Sequence, residues 1–124
     1  MATVGYLEGT DPLVLTRLAA RGVGTLPLSN GFDNHGKFIT SVSGRDNLDV
    51  VVGYLHKLTR TQKQGFHPRD LLQPCLDCGI TVIILVPKAD QVAARRALGP
   101  VGDASMLVDP ERLFETIAQC LGLS

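Results

Sequence analysis

Short apolar runs alternate with longer amphipathic segments along the chain. Five of these runs are rich in β-branched and other apolar residues, which is the pattern of strands. They predict strands over ATVGYL (2–7), VGTLPL (23–28), LDVVVGYL (48–55), TVIILV (81–86) and ASMLV (104–108). The third and fourth runs are almost continuously apolar, and this predicts strands that are buried on both faces.

Proline and glycine mark the limits of the segments between these runs. Proline is favoured at the first position of a helix and a polar residue before it can cap the helix, so Asp11-Pro12, His67-Pro68 and Asp109-Pro110 predict helix starts. Glycines that can close a helix in the left-handed conformation end these segments. The predicted helices cover 11–22, 67–79, 88–99 and 109–122, and 33–47 is also predicted as a helix although Ser, Thr, Val and Gly are frequent there.

The alternation of strands and helices predicts the fold class. Strict β-α alternation favours a parallel sheet with helices on both faces, and right-handed crossovers leave few topologies. We therefore expect a single flavodoxin-like α/β domain over residues 1–124, with three α/β/α layers and a five-stranded parallel sheet of order 2-1-3-4-5.

The composition of the chain argues against some classes of binding partner. The chain has 124 residues, 12 Lys+Arg against 12 Asp+Glu, and a formal net charge of zero, which argues against a protein that binds nucleic acid through a general basic field. The absence of net charge also removes one barrier to self-association. No apolar run is long enough to span a membrane, no signal peptide is recognisable, and the three cysteines are an odd number. We expect a reduced, cytoplasmic protein that binds neither nucleic acid nor membrane.

Polar residues concentrate in the loops that follow the predicted strands. In a parallel α/β sheet these loops all lie at the carboxyl edge, where ligands bind. All three histidines fall in these loops or at their borders. The candidate catalytic residues are His35, Asp33 and His67. The candidate ligand-binding residues are Glu8, Asn30, Gly31, Lys37, His56 and Lys88.

Several of these polar residues have a structural alternative. Asp11 and Asp109 are better explained as helix caps than as catalytic groups. His67 precedes a proline and can cap its helix, and His56 can be a satisfied residue at the end of a buried strand. His35 has the best case for a function, because nothing in the local sequence requires an imidazole between Asp33 and Lys37.

The cysteines do not predict a metal or redox site. Cys75 and Cys78 form a C-x-x-C at a helix C-terminus, where the helix dipole disfavours a thiolate, so core packing is the better explanation. A second C-x-x-C or an H-x₃₋₅-H, which a zinc site would need, is missing. The G-x-G-x-x-G and G-x-x-x-x-G-K-[ST] loops are also missing, so we expect no metal and no cofactor.

The stretch 31–87 carries GFD at 31–33, LDVVV at 48–52 and HPRD at 67–70. In these segments it resembles the methylglyoxal-synthase-like domain, in which a G-G-D loop leads through a helix to an apolar strand and then to a D/H-P segment. The resemblance matches Asp33 to the catalytic aspartate of that family. The family's T-G-T-T-G phosphate loop is replaced by PLSNG at 27–31, so the resemblance implies a shared fold rather than a shared activity.

Two functional hypotheses from different classes follow. The first is a site for a small anionic or phosphorylated metabolite, built from helix N-termini and from the backbone N–H groups around Asn30 and Gly31. Lys37, Lys57 and Lys88 add positive charge to this site. In a lyase-type or acid/base enzyme His35 would transfer the proton, and Asp33 would orient it or act as a second base. The loop 56–67 is either a lid or a solvated loop. The second is a non-catalytic interaction or assembly subunit that forms a homodimer or a higher oligomer.

Overall fold

The computed structural model describes residues 2–31, 36–59 and 67–123. These residues form a parallel six-stranded sheet. Its strands are β1 (Thr3–Leu7), β2 (Gly24–Ser29), β3 (Lys37–Phe38), β4 (Val50–Tyr54), β5 (Thr81–Leu85) and β6 (Met106–Val108). The order across the sheet is β3-β2-β1-β4-β5-β6.

Helices follow the strands at most of the predicted places. They are α1 (Pro12–Ala20), α2 (Leu55–Thr59), α3 (Pro68–Asp77), α4 (Gln91–Leu98), α5 (Pro100–Ala104) and α6 (Leu113–Leu121). Proline occupies the first turn of α1 and α3, as the sequence predicts. Gly122 closes α6 with a φ of 69°, in the left-handed conformation that glycine adopts without strain. Among the described residues no helix is long and apolar enough to cross a membrane.

Two buried clusters separate the layers. Along β4, Val51 packs into one cluster while Val50 and Val52 pack into the other, because successive side chains of a strand point to opposite faces. The first cluster contains the buried residues of α3, α4 and α5, and the second contains those of α1 and α6. The sheet is therefore covered by helices on both faces, which is the predicted α/β/α arrangement.

The prediction of five strands is wrong, and the error lies in the segment predicted as a helix over 33–47. Its described part, 36–47, contains β3 and two 3-10 helices, Ile39–Ser41 and Gly44–Asp46. Ser43 and Asp46 form a capping box around the second of these, and Asn47 ends it with a φ of 51°. Serine, threonine and glycine favour such short turns over a regular helix because their side chains or backbones compete with it.

Candidate functional site

The exit of β1 is the place where the chain reverses its direction across the sheet. From β1 the chain passes to β2 on one side, and it later returns to form β4 on the other side of β1. Parallel strands bring their carboxyl ends to one edge, and in open α/β sheets ligands bind where the strand order reverses in this way. Polar residues at the ends of β1, β2 and β4 meet there.

Three of these polar residues form what we call the carboxyl-edge cluster. They are Glu8, Asn30 and Lys57. The side chain of Asn30 is buried, with 1% of the residue exposed, and its Nδ2 donates a hydrogen bond of 2.7 Å to the carbonyl of Lys57. This bond joins the end of β2 to the helix α2, which follows β4 without an intervening loop, so Asn30 fixes α2 relative to the rest of the edge.

Lys57 carries the positive charge of the cluster. Its side chain is 12% exposed, and its Nζ lies 3.9 Å from Oε2 of Glu8, whose side chain is 49% exposed. A Cβ on Gly9 would lie 3.8 Å from Cε of Lys57, so the lysine stem runs beside the backbone of the turn after β1. The aliphatic part of Lys57 is thus covered while its charged end lies next to a half-exposed carboxylate.

The turns that flank Lys57 satisfy their own polar groups. The Thr10 hydroxyl is buried and donates a hydrogen bond of 2.8 Å to the carbonyl of Leu7. The N–H of Gly31 donates to Oγ of Ser29 at 3.0 Å. The expectation that the N–H of Gly31 is free for an anion is therefore wrong, because the serine two residues earlier occupies it.

The N-termini of α1 and α3 are capped by side chains of the chain itself. Oδ1 of Asp11 accepts a hydrogen bond of 2.9 Å from the N–H of Leu13. At α3, Nδ1 of His67 accepts from the N–H of Arg69 at 3.0 Å, and Oδ2 of Asp70 accepts from the N–H of His67 at 2.9 Å. Asp11 is thus a cap, as expected, and these two helix ends offer an anion fewer donors than the sequence suggested.

Asp109 caps two segments at once. Its Oδ1 accepts from the N–H of Glu111 at 3.0 Å and its Oδ2 accepts from the N–H of Lys88 at 3.1 Å. These backbone hydrogen bonds, first the one from Glu111 and then the one from Lys88, lower the pKa of Asp109 below its ordinary value. The expected capping role of Asp109 is confirmed, and it also ties the segment after β5 to the segment after β6.

The predicted site residues separate into groups. Glu8 and Asn30 belong to the cluster, and Gly31 follows Asn30 directly. His56 is exposed, with its ring centroid 5.7 Å from that of Tyr54. The candidates Asp33 and His35 lie outside the described residues, as does most of the loop predicted as a lid.

Lys37 and Lys88 lie apart from the Glu8–Lys57 pair. The ammonium of Lys37 binds both carboxylate oxygens of Asp46, at 2.7 and 2.9 Å. Lys88 follows β5 and lines a depression of about 370 Å³ beside β6. His67 lies at the start of α3, and its bonded Nδ1 leaves Nε2 as the nitrogen that carries the proton of the neutral ring. Catalytic roles for His67, Asp33 and His35 stay predictions.

The sequence indicated Lys57, with Lys37 and Lys88, as a source of positive charge for an anion, but not as a site residue. Its place in the site depends on α2 beginning at Leu55, directly after β4. The available signal was its position two residues after the apolar run that ends at Leu55, close to the end of a central strand.

A second depression lies at the opposite, amino edge of the sheet. It has a volume of about 520 Å³, and its lining includes Asn47 and Asp49 before β4 and Cys78 and Ile80 before β5. This volume suits a small molecule. Its charged lining residue, Asp49, uses Oδ2 to accept the N–H of Thr3 at 3.0 Å.

The cysteines have different environments. Cys75 is fully buried in α3, and burial, followed by the neighbouring Cys78, raises the pKa of its thiol to about 11. Cys78 and Cys120 are exposed. Within the described ranges, no three His, Cys, Asp or Glu side chains are grouped so that they could hold a metal ion.

Comparison with known proteins assigns the chain to no family. The chain matches no protein-family model and shows no significant similarity to any curated protein. Its class is therefore defined by the fold and the site alone: a parallel α/β sheet between helices with a polar cluster at its carboxyl edge.

Proposed function

We propose that this chain is a small α/β protein of flavodoxin-like topology that binds an anionic or phosphorylated metabolite at the carboxyl edge of its sheet. The observation that carries the proposal is the position of Lys57, whose side chain is 12% exposed, at the point where the strand order reverses. Support for the flavodoxin-like order comes from the five longer strands, which follow the sequence 2-1-3-4-5 when the two-residue β3 is left out.

The burial of Lys57 favours an anionic ligand. Charges interact more strongly where water is partly excluded, and 88% of this side chain is covered. The carboxylate oxygen Oε2 of Glu8 lies 3.9 Å from Nζ of Lys57, beyond direct hydrogen-bond distance. The N-termini of α1 and α3 are already capped, so at these two places a lysine rather than a helix dipole would supply the attraction.

A fixed backbone supports the binding role. Asn30 holds the carbonyl of Lys57 from across β1, so the start of the lysine side chain does not need to be ordered when a ligand binds. Preorganisation of this kind lowers the entropic cost of binding. An acid/base reaction of the bound metabolite is part of the same hypothesis, with the predicted catalytic residues His35, Asp33 and His67.

Titration calorimetry with inorganic phosphate, propyl phosphate, sn-glycerol 3-phosphate and lactate tests the proposal. We expect at least one of these anions to bind, and Lys57→Met to weaken its binding by about tenfold or more. Arg96→Met removes one positive charge from the exposed surface of α4 and is the control. Equal losses in both variants, or no binding by any of the anions, would contradict the proposal.

A second candidate function is self-association, and the two outer strands favour it. In the described sheet β3 and β6 are the outer strands, and each exposes a large apolar side chain, Phe38 at 44% and Met106 at 40%. Exposed apolar residues on an open strand edge are typical of sites where another chain adds. On this proposal the protein is a homodimer or higher oligomer, and sedimentation velocity of the wild type against Met106→Lys tests it. A monomeric wild type at micromolar concentration would rule the candidate out.

A further inference from the structure

The outer strand β6 presents an open backbone edge on its side away from β5. In the ladder between the two strands Ile84 pairs with Leu107, and the N–H of Val86 donates a hydrogen bond of 2.9 Å to the carbonyl of Val108. Val108 therefore directs its backbone groups towards β5. Because the backbone groups of successive strand residues alternate in direction, the N–H and the carbonyl of Leu107 point away from the sheet.

The residues on either side of β6 extend this open edge. Ser105 and Asp109 have extended backbones and stand two positions from Leu107. The N–H of Ser105 donates to the carbonyl of Gly102 at 3.4 Å, and the carbonyl of Asp109 accepts from the N–H of Arg112 at 2.9 Å. Among the described residues, the carbonyl of Ser105 and the N–H of Asp109 have no backbone partner. One acceptor before β6 and one donor after it are thus open.

These open groups are complementary to those of a second copy of the same strand. In an antiparallel pair centred on Leu107 the two leucines would exchange both N–H···O bonds, as residues at a hydrogen-bonded position of an antiparallel ladder do. The N–H of Asp109 would then face the carbonyl of Ser105 in the second copy. The N–H of Ser105 and the carbonyl of Asp109 would also face each other, but both already have a partner within their own chain.

The charges on the face that carries α4 and α5 match in the same arrangement. A two-fold axis perpendicular to the sheet keeps each face on its own side and brings the carboxyl end of one β6 beside the amino end of the other. Lys88 leads into α4 at the carboxyl end, and its ammonium has no ion-pair partner among the described residues. Asp103 lies in α5 at the amino end, and its side chain is 74% exposed. Opposite charges would therefore meet on both sides of the axis.

The face that carries α6 adds an apolar contact. Met106 is 40% exposed and its Sδ lies 3.9 Å from Sγ of Cys120 in α6, so its side chain is on this face, as is that of Val108. In the antiparallel pair Met106 would stand opposite Val108 of the second copy. The charges of Arg112 and Glu115 on this face already pair with each other at 3.2 Å.

We propose that two copies of this chain associate through their β6 strands, paired antiparallel about Leu107, so that one sheet continues across both copies. This inference rests on the second candidate function, self-association, and names the surface and the geometry that it uses. The pairing is isologous and closes at two copies, so it gives a dimer rather than a filament. It also covers the open edge of β6, which an isolated chain exposes.

Charge reversal tests the pairing, with the dissociation constant of the dimer measured by sedimentation velocity. We expect Lys88→Glu and Asp103→Lys each to raise this constant by about tenfold or more, because each puts like charges opposite one another on both sides of the axis. The double variant restores opposite charges in exchanged order and should return the constant to within about threefold of the wild type. Phe38→Lys, on the other outer strand β3, is the control and should leave it unchanged.

Hydrogen exchange measured by NMR locates the paired strand. The amides of Leu107 and Asp109 should exchange about tenfold more slowly in the wild type than in Lys88→Glu, because only the second copy protects them. The amides of Met106 and Val108 point towards β5 in both proteins and are the internal control. Leu107→Pro removes the central donor of each copy without removing a hydrogen bond to β5, and it should also abolish the dimer.

The outcomes separate this inference from self-association in general. A dimeric wild type whose dissociation constant is unchanged in Lys88→Glu and Leu107→Pro would overturn the inference and leave the second candidate function standing. Fast exchange of the Leu107 amide in a dimeric wild type would also overturn the inference alone. A monomeric wild type would overturn both, and the proposed binding of an anion at the carboxyl edge is judged by its own calorimetric test.

Discussion

The two edges of the sheet differ in what they offer a ligand. At the carboxyl edge a buried asparagine donates a hydrogen bond across β1 to the carbonyl of a lysine whose side chain is largely covered. At the amino edge a depression of about 520 Å³ opens beside Asn47, Asp49 and Cys78, and its charged lining residue is an aspartate already bonded to Thr3. We propose the carboxyl edge as the site, because specificity comes from a few fixed polar groups.

Substitution of two glycines by alanine is expected to give the largest difference in the free energy of unfolding. Gly36 leads into β3 with a φ of 87°, and a Cβ there would lie 2.8 Å from the carbonyl carbon of Pro27 in β2. Gly44, which lines the amino-edge depression, has open space around the same position and no positive φ. We expect Gly36→Ala to lower the free energy of unfolding by about 2 kcal/mol or more, because it combines backbone strain with a collision.

Gly44→Ala is the matched control. It should change the free energy of unfolding by less than about 0.5 kcal/mol, since the new methyl group meets nothing. Urea unfolding followed by circular dichroism measures both variants. Equal losses of stability in the two would show that β3 is not packed on β2 as described.

The next largest difference in stability is expected between the loss of a buried and the loss of an exposed polar side chain. Asn30→Ala leaves the carbonyl of Lys57 without its 2.7 Å partner in a partly buried place, and we expect the free energy of unfolding to fall by about 1–3 kcal/mol. Asp49→Ala removes the bond to the N–H of Thr3 at an exposed position and should reduce stability by less than about 1 kcal/mol. The same unfolding experiment compares them. A larger loss for Asp49→Ala would contradict the view that the carboxyl edge is the more tightly fixed of the two.

The regular alternation of strand-like and helix-like segments in the sequence was sufficient to predict most of the strands and helices of the fold. Proline at the starts of α1 and α3 and glycine at the end of α6 act locally, so the sequence around them contains the reason for the structure. The strand β3 has no such local signal. It is two residues long and is a strand only because β2 lies beside it, with Lys37 paired to Leu28.

The sequence predicted the edge of the sheet at which we propose the site, but it did not predict the role of Lys57. The position of Glu8 after β1 follows from the alternation alone. The importance of Lys57 depends on the hydrogen bond from Asn30, which is 27 residues away in the chain, and on the lack of a loop between β4 and α2. Contacts between segments so distant in sequence have no signature in a single chain.

The contribution of the Lys37–Asp46 ion pair to the stability of the fold is expected to depend on pH. The hydrogen bond from Lys37, and then the one from the N–H of Ser43, hold the pKa of Asp46 below its ordinary value. A carboxyl whose folded pKa is depressed stabilises the fold above its unfolded pKa of about 3.9, and this contribution is lost as the pH falls through the lower folded value.

Asp46→Ala should therefore reduce stability by about 1 kcal/mol at neutral pH, the usual effect of losing a cap. The difference in stability between this variant and the wild type should shrink as the pH falls below the ordinary pKa of an aspartate. Asp90→Ala, which removes a carboxylate that makes no capping hydrogen bond, is the control. Thermal melts over a pH series measure both, and a difference that is constant with pH for Asp46→Ala would contradict the assignment.

Thiol reactivity gives the smallest expected effect, with no change in stability. At neutral pH Cys78, at the amino-edge depression, and Cys120 should react with an aromatic disulfide reagent, because both are exposed. Cys75 should stay unreacted until the protein unfolds, since it is buried and its pKa is raised to about 11. Mass spectrometry counts the labels. Labelling of Cys75 in the folded protein would revive a redox role for the C-x-x-C pair.

The most direct test of the central claim is to map where an anion binds. In a ¹H–¹⁵N correlation spectrum titrated with sn-glycerol 3-phosphate, we predict that the shifting amides are those of 8–10, 30–31 and 55–57. Amides of 43–49 and 78–80, which surround the amino-edge depression, should not move. Shifts confined to those amino-edge residues would contradict the account, because the ligand would then follow the open volume rather than the buried lysine.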